Sequence, residues 1–360
     1  MNVSRTGQKT GEASDDLGAI FRRLIRNTGP ISLTQYMGES NARYYASRDP
    51  LGLAGDFVTA PEISQMFGEL IGLWLADIWI SSGRPENVHY VELGPGRGTL
   101  AKDALRAMKR YGLQPAVHFV EGSSALREVQ QKAVPDVRWH NDLSTLPPDD
   151  PLLFVGNEFL DALPIRQMAK TPNGWREREI ALQDDAFIFA AGGRPMDAAV
   201  PEEWRGAEDG TILETSPAQA AVMYELAGRL SDQGGAALLF DYGHAALHAG
   251  STLQAVKDHR KVDPLAMPGS ADLTALVEFG TLARIAQSRD VRWIGTAEQG
   301  AWLRRLGIDA RTQSLAKAAP HHADDLRAAR DRLVEPGQMG ALFKVMGLSG
   351  LHWDGGAGFD

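Results

Sequence analysis

The 360-residue sequence contains no cysteine. Disulfide bonds, thiolate zinc sites, iron–sulfur clusters and cysteine nucleophiles are therefore excluded. Basic residues are also few: 37 Lys and Arg are set against 46 Asp and Glu, a net charge of −9. There is no dense basic run to neutralise a phosphate backbone, so we expect no nucleic-acid partner.

The sequence also lacks a long apolar run. The longest, residues 70–80, contains Asp77 and falls short of the roughly 18 residues that a membrane span needs. The first sixteen residues have no apolar segment of the signal-peptide type, and they carry acids that a transit peptide avoids. We therefore expect no membrane insertion and a bacterial cytoplasmic location. The 43% apolar content is enough for a large buried core.

The first eighty residues are predicted to be helical. Three capping signals begin helices there: Ser14, Ser32 with Gln35, and Thr59 with Glu62. The third signal begins a long helix that ends near Ser81, and residues 41–58 are predicted to form a loop. Its length indicates a functional segment.

From about residue 87, short apolar runs alternate with helical patterns. The predicted strands are 88–93, 116–121, 137–140, 152–157 and 234–243, with edge strands at 291–295 and 341–347 and a hairpin over 175–191. This alternation predicts an α/β fold with a mostly parallel sheet and helices on both faces. The predicted domains are a helical region (1–84), an α/β domain (85–346, insertions near 170–212 and 245–285) and a flexible tail (347–360).

The strongest motif is V-E-L-G-P-G-R-G-T at residues 91–99. It places Glu92 at the end of a strand and three glycines in the turn that follows; the predicted ligand contacts are Glu92, Gly94, Pro95, Gly96 and Gly98. Glycine allows positive φ and a close ligand approach. Thr99 breaks the dinucleotide pattern G-x-G-x-x-G, and Glu92 would repel a pyrophosphate. A cationic ligand such as S-adenosylmethionine (SAM) suits the turn better; a nucleotide and a purely structural turn remain alternatives.

Acidic residues also follow the next two predicted strands. Glu121 is placed to accept hydrogen bonds from ribose hydroxyls, as in doubly wound nucleoside sites. Asp142 and Leu143 are placed to contact the adenine amino group and ring. Alternatively, Glu121 is an ordinary exposed strand end and Asp142 lies in a solvated loop.

The fourth predicted strand ends in N-E-F-L-D-A-L-P, residues 157–164. Asn157 is predicted to contact the cofactor, whereas Glu158 and Asp161 form a carboxylate pair beside the methyl group to be transferred. Two carboxylates match the forked guanidinium of arginine and would align one of its nitrogens for methylation. The alternative is that Asp161 only caps the following turn.

His244 and His248 have an H-x₃-H spacing, but no third ligand follows in the sequence. We therefore expect no metal, and His244 is interpreted as a residue at the edge of the pocket.

Seven segments resemble the MidA-like SAM-dependent methyltransferases, whose mitochondrial members are complex I assembly factors. The segments are residues 55–69, 92–100, 157–167, 241–244, 251–255, 268–279 and 339–346. The resemblance implies a class I (Rossmann-like) fold, SAM as cofactor, and symmetric dimethylation of an arginine on a core subunit of respiratory complex I. Eukaryotic relatives would act in the mitochondrial matrix. The chain departs from the family pattern at Ser251 and Leu276, where Asp and His are usual.

Two of these segments supply a predicted lid and substrate side of the pocket. Its residues are Asp56, Thr59, Glu62, Asp241, Tyr242 and His244. Thr59 and Glu62 can instead cap their helix. Two other functions remain open: a SAM-binding assembly chaperone without turnover, and a nucleotide-dependent oxidoreductase, which Thr99 disfavours.

Overall fold

The structure, a computed structural model, describes residues 16–47 and 59–359. Its helices are α1 (Leu17–Thr28), α2 (Leu33–Ser47), α3 (Ala60–Ile63), α4 (Gln65–Ser81), α5 (Thr99–Lys109), α6 (Ser124–Ala133), α7 (Pro217–Gln233), α8 (Phe279–Gln287), α9 (Gln299–Arg305), α10 (Ile308–Ala318), α11 (Ala323–Val334) and α12 (Met339–Leu342). Its strands are β1 (Ile31–Ser32), β2 (His89–Leu93), β3 (Ala116–Val120), β4 (Val137–His140), β5 (Leu152–Asn157), β6 (Arg166–Thr171), β7 (Gly174–Gln183), β8 (Ala186–Pro195), β9 (Ile212–Thr215), β10 (Gly235–His244), β11 (Gln254–Lys257), β12 (Arg260–Val262), β13 (Asp272–Thr274), β14 (Val277–Glu278), β15 (Arg292–Glu298) and β16 (Phe343–Ser349).

The central sheet has the strand order β15–β16–β10–β5–β2–β3–β4. Neighbours from β10 to β4 are parallel, whereas β16 is antiparallel to both β10 and β15. The predicted α/β class and its five parallel strands are confirmed. Chain order reverses between β2 and β5, which creates a crevice at their carboxyl ends where α/β proteins bind ligands.

Helices cover both faces of this sheet. On one face α4 and α5 bury a core that includes Phe67, whose ring lies 5.1 Å from that of Phe240 in β10. On the other face α7 and α8 pack over Phe154 of β5 and Leu239 of β10. No helix in residues 16–47 or 59–359 is long and apolar enough to span a membrane.

The insertions form two smaller sheets. The first has the order β1–β7–β6–β9 with β8 paired to β7, so the predicted hairpin is confirmed; the second is β12–β11–β13. Phe21 of α1 and Tyr36 of α2 pack with Ile180 of β7 in a third core. The predicted region 1–84 is thus divided between two cores, because α4 packs on the central sheet.

Two of the three predicted capping signals differ in the structure. Asp16, not Ser14, caps α1 by accepting from the Gly18 amide, and Ser14 lies outside the described residues. Ser32 accepts from the Gln35 amide at 3.1 Å as predicted.

The long helix predicted from Thr59 is split in two. Thr59 makes no side-chain capping bond, and Ser64 interrupts the helix and caps α4 through the Met66 amide. The Glu62 side chain accepts from the Thr99 hydroxyl instead, because α3 packs beside the glycine turn. Residues 41–47 of the predicted loop are helical instead, since α2 extends to Ser47, and residues 48–58 lie outside the described residues.

The carboxyl-terminal segment packs against the main core. The run predicted as an edge strand continues to Ser349 and pairs on both sides. After it, Trp353 is 5% exposed, and the Phe359 ring lies 6.1 Å from that of Trp302. The glycines of the tail suggested flexibility, but its two aromatic rings bury apolar area against the main core.

We predict that Trp353→Ala lowers the free energy of unfolding by about 3–5 kcal/mol, because it removes a buried indole. Leu351→Ala is the matched control, since Leu351 is 62% exposed. Chemical denaturation measures both; equal stability of the two variants would mean that the tail is flexible.

Candidate active site

A cavity of about 730 Å³ lies at the carboxyl ends of β2, β3 and β5. The glycine turn after β2 forms one wall, and Gly94, Gly96 and Gly98 have φ of 60°, 55° and 78°. These left-handed conformations explain the three glycines. Gly94 and Gly96 line the cavity together with Pro95, whereas Gly98 does not and begins α5 as its N-cap.

Glu92 is a buried carboxyl group in the wall of the cavity, with 3% of its surface exposed. Burial raises the pKa of Glu92 to about 8, although a hydrogen bond from the Tyr90 hydroxyl to Oε2 at 2.6 Å opposes the shift. A buried ionised carboxylate is costly without a partner. A cation in the cavity would therefore be attracted to Glu92.

Glu121 lies directly after β3 and also lines the cavity. Its Oε1 accepts from the Ser123 amide at 2.7 Å, and its Oε2 accepts from Gln130 Nε2 at 3.1 Å. Burial raises the pKa of Glu121. The contact of Glu121 with a ribose stays a prediction; the structure supplies the position that this contact requires.

Gln130 of α6 is a supporting residue that the sequence analysis missed. Its Nε2 donates both to Glu121 and to the Gly96 carbonyl, the latter at 2.8 Å. The Trp139 indole, which can only donate, bonds to Gln130 Oε1 at 2.8 Å and so fixes the orientation of the amide. Gln130 thus ties the glycine turn to Glu121.

Asp142 and Leu143 line the cavity at the end beside Glu121. The Asp142 side chain is exposed and accepts from the Ser144 hydroxyl and from the Ser144 amide, the latter at 2.9 Å; these bonds lower the pKa of Asp142. Leu143 is buried and offers an apolar surface. Asp142 therefore caps a turn in an exposed loop and lines the cavity at the same time; its contact with adenine stays a prediction.

Glu158 follows β5 with a φ of 53°, an uncommon value for a non-glycine residue. Its Oε1 accepts from Asn157 Nδ2 at 3.1 Å and from the Ala60 amide at 3.2 Å, and burial raises the pKa of Glu158 to about 7. Asn157 and Glu158 line the cavity. Asn157 Oδ1 is buried and has no hydrogen-bond partner among the described residues, so it is available to a ligand.

The other predicted acid of the pair, Asp161, does not line the cavity. It is buried behind the cavity wall, and burial together with Asp241 and Asp272 raises its pKa. Asp241 Oδ2 accepts from the Leu160 and Asp161 amides at 2.8 and 3.2 Å. Asp241 therefore holds the turn after Glu158 and does not contact the cavity.

Only some of the predicted substrate and lid residues line the cavity. Thr59 and Glu62 line the cavity, and Asp56 lies outside the described residues. Tyr242 stacks on Phe343 with ring centroids 3.9 Å apart, and His244 bonds to the Ala246 carbonyl; neither lines the cavity.

The His244 and His248 rings lie 4.0 Å apart. Within the described ranges, no group of three or more His, Asp or Glu side chains is arranged to hold a metal ion.

Comparison with known proteins decides the family. A profile of S-adenosyl-L-methionine-dependent methyltransferases (Methyltransf_28) matches residues 70–297. The chain belongs to this family. S-Adenosyl-L-methionine is accordingly its cofactor. The buried Glu92 carboxyl group and the side-chain oxygen Oδ1 of Asn157 are suited to the ammonium group of this ligand.

Relatives and solved structures agree with this assignment. The mouse protein named "Protein arginine methyltransferase NDUFAF7, mitochondrial" is 36% identical over 93% of this chain and 85% of its own length. The Drosophila melanogaster homologue is 34% identical over 95% and 87%. A crystal structure of a COG1565 superfamily member from Burkholderia thailandensis, bound to S-adenosyl-homocysteine, has a TM-score of 0.82 and 30% identity, covering 94% of this chain and 93% of that one.

We predict that SAM binding to this methyltransferase releases protons from Glu92 at pH 7. Glu92 is mostly protonated in the free protein, because its pKa is about 8, and a bound cation favours the carboxylate. Calorimetry in buffers of different ionisation enthalpy counts the protons. Glu92→Gln should release fewer protons than the wild type, and the exposed Glu128→Gln should match the wild type.

The raised pKa of Glu92 also makes the stability of the folded protein depend on pH. The folded pKa of Glu92 exceeds the unfolded value of about 4.3, so its contribution is complete below about pH 4 and is lost as the pH rises through 8. The difference in free energy of unfolding between Glu92→Gln and the wild type should therefore shift in favour of the variant as the pH rises from 4 to 9. Parallel pH profiles of denaturation for the two proteins would contradict the assignment of the pKa to Glu92.

We predict that Gln130→Met weakens SAM binding about 5- to 100-fold, because two hydrogen bonds that hold the glycine turn and Glu121 are lost. Gln131→Met on the same helix is the control, since Gln131 is exposed and does not line the cavity. Titration calorimetry measures both affinities; wild-type affinity of Gln130→Met would remove this residue from the site.

Proposed function

We propose that this methyltransferase transfers methyl groups to arginine in a protein, and that its substrate is a core subunit of respiratory complex I during assembly. The observation that carries the proposal is Glu158, a half-buried and conformationally strained carboxyl group in the cavity wall. The names of the relatives and the resemblance noted above support both the acceptor and the complex.

The cofactor end of the cavity would lie along β2 and β3. Glu121 is placed to accept the ribose hydroxyls, and Leu143 to pack against the base. Asn157 Oδ1 and Glu92 would contact the ammonium group. When bound, SAM supplies an electrophilic methyl group on a positively charged sulfur.

The acceptor end would lie beyond Glu158, where Asn41 and Tyr45 of α2 also line the cavity. A guanidinium group at this position would hydrogen-bond to the Glu158 carboxylate, which fixes one terminal nitrogen in line with the methyl group. Asp161 and Asp241 lie behind Glu158, and burial raises the pKa of both carboxyl groups; a cation in the cavity would favour their ionised forms.

Glu158 can also account for the proton balance. The nitrogen lone pair forms the new C–N bond while the C–S electron pair stays on sulfur, and the methylated guanidinium then loses one proton. A carboxylate whose pKa is about 7 can accept that proton near neutral pH. Below pH 7, Glu158 is protonated in the free enzyme and neither role is available.

We predict that Glu158→Gln lowers kcat at least about 100-fold, because the amide neither attracts the guanidinium nor accepts a proton. SAM affinity should change by less than about 3-fold. In the wild type, kcat should rise with pH up to about 7 and then level. The measurement is transfer of labelled methyl from SAM to the candidate subunit, with methylarginine identified by mass spectrometry.

Glu128→Gln is the matched control, because Glu128 is exposed on α6 away from the cavity. Wild-type turnover of Glu158→Gln would contradict the mechanism. Tight SAM binding by the wild type without transfer to any arginine would favour the assembly chaperone. A cytoplasmic location and symmetric dimethylation remain part of this proposal.

A further inference from the structure

Three histidines form a continuous hydrogen-bonded chain across the central sheet. His89 of β2, His118 of β3 and His140 of β4 lie on the face that carries α7. His118 Nε2 is 3.0 Å from His89 Nδ1, and His118 Nδ1 is 2.9 Å from His140 Nε2. His118 is fully buried between the other two rings. The chemistry discussed above does not involve any of these side chains.

The two ends of this chain of histidines contact different groups, a carboxylate and a hydroxyl. At one end, His89 Nε2 lies 3.8 Å from an Asp150 carboxylate oxygen. At the other, His140 Nδ1 lies 2.8 Å from the Thr145 hydroxyl. Thr145 ends the short helical turn Leu143–Thr145, whose first residue lines the cofactor cavity.

The hydrogen bonds of the histidine chain can run in either of two directions. A neutral histidine has one donor and one acceptor nitrogen, so the three rings must all point the same way. In one direction all three rings carry Nε2–H and the Thr145 hydroxyl donates to His140 Nδ1; in the other all three carry Nδ1–H and His140 donates to Thr145. The 3.8 Å contact of His89 with Asp150 is too long for a hydrogen bond and does not select between the two directions.

The rings are neutral at pH 7 because burial lowers the pKa of all three, that of His118 to about 4. An added proton would set two N–H donors against each other and break one bond. The charged groups around the chain are Arg138 on β4, Arg127 on α6, Asp142 and Asp150. On the other side of the turn, Arg229 of α7 donates to the Leu143 carbonyl at 2.8 Å.

His140 also contacts Glu121, which lines the cavity where the nucleoside part of the cofactor would lie. Its carbonyl accepts from the Glu121 amide at 2.9 Å. We propose that His140 is a positioning residue for the cofactor: with its tautomer coupled to those of His118 and His89, it holds the Thr145 turn and thereby places Leu143 against the nucleoside. This inference rests on the family's cofactor and not on the acceptor that is methylated.

The first test removes one hydroxyl group. Thr145→Val should weaken binding of S-adenosylhomocysteine about 3- to 10-fold at pH 7.5, raise the KM for SAM and leave kcat unchanged. Thr145→Ser keeps the hydroxyl and should restore the affinity. The ratio of the two affinities should approach one as the pH falls from 6.5 to 4, because protonation then breaks the chain in both proteins. Equal affinities at pH 7.5 would overturn the proposal.

The second test asks whether a change at His118 alters cofactor binding through its hydrogen bond to His140. His118→Phe does not touch the turn, yet it should weaken S-adenosylhomocysteine binding because His140 loses its hydrogen-bond partner in the histidine chain; the exposed His321→Phe is the control. Nitrogen NMR of the wild type labelled at histidine should show the same tautomer for all three rings, either Nε2–H throughout or Nδ1–H throughout, and different tautomers among the three rings would overturn the proposal. If His118→Phe does not fold, the Thr145 pair and the NMR measurement decide.

Discussion

Buried carboxyl groups at the carboxyl ends of parallel strands are the constraint on which this site depends. The buried Glu92 and the half-buried Glu158 face the cavity, and the buried Asp161 and Asp241 lie directly behind it. Removing a carboxylate from water is unfavourable unless a proton or a cation accompanies it. The folded protein meets this cost with protons, which leaves a cavity that favours positively charged ligands.

The supporting contacts explain how such a site stays ordered. The Ala60 amide of α3 and the Asn157 amide hold Glu158, while Gln130 joins the glycine turn to Glu121. The residues that make these contacts come from three separate elements, α3, β5 and α6. The amino-terminal helices thus contribute directly to the cavity of the α/β domain, although they precede it in the chain.

Much of the fold was predictable from local patterns. Apolar runs followed by helical periodicity located β2, β3, β4, β5 and β10, and the glycine turn after β2 located the cavity wall. The long helix from Thr59 was wrong because the apolar pattern continues across Ser64, where the backbone breaks to bring Ala60 to Glu158. The packed tail was also missed, since scattered aromatics in a glycine-rich segment carry no periodicity.

Residue order along each strand is enough to predict which strands form the sheet and which acids stand at their ends. Which of those acids enter the cavity depends instead on packing between elements that are distant in the chain. Glu158 does and Asp161 does not, because the left-handed backbone at Glu158 redirects the chain and Asp241 fixes the turn from a distant strand. Contacts between residues eighty positions apart leave no local signal in a sequence.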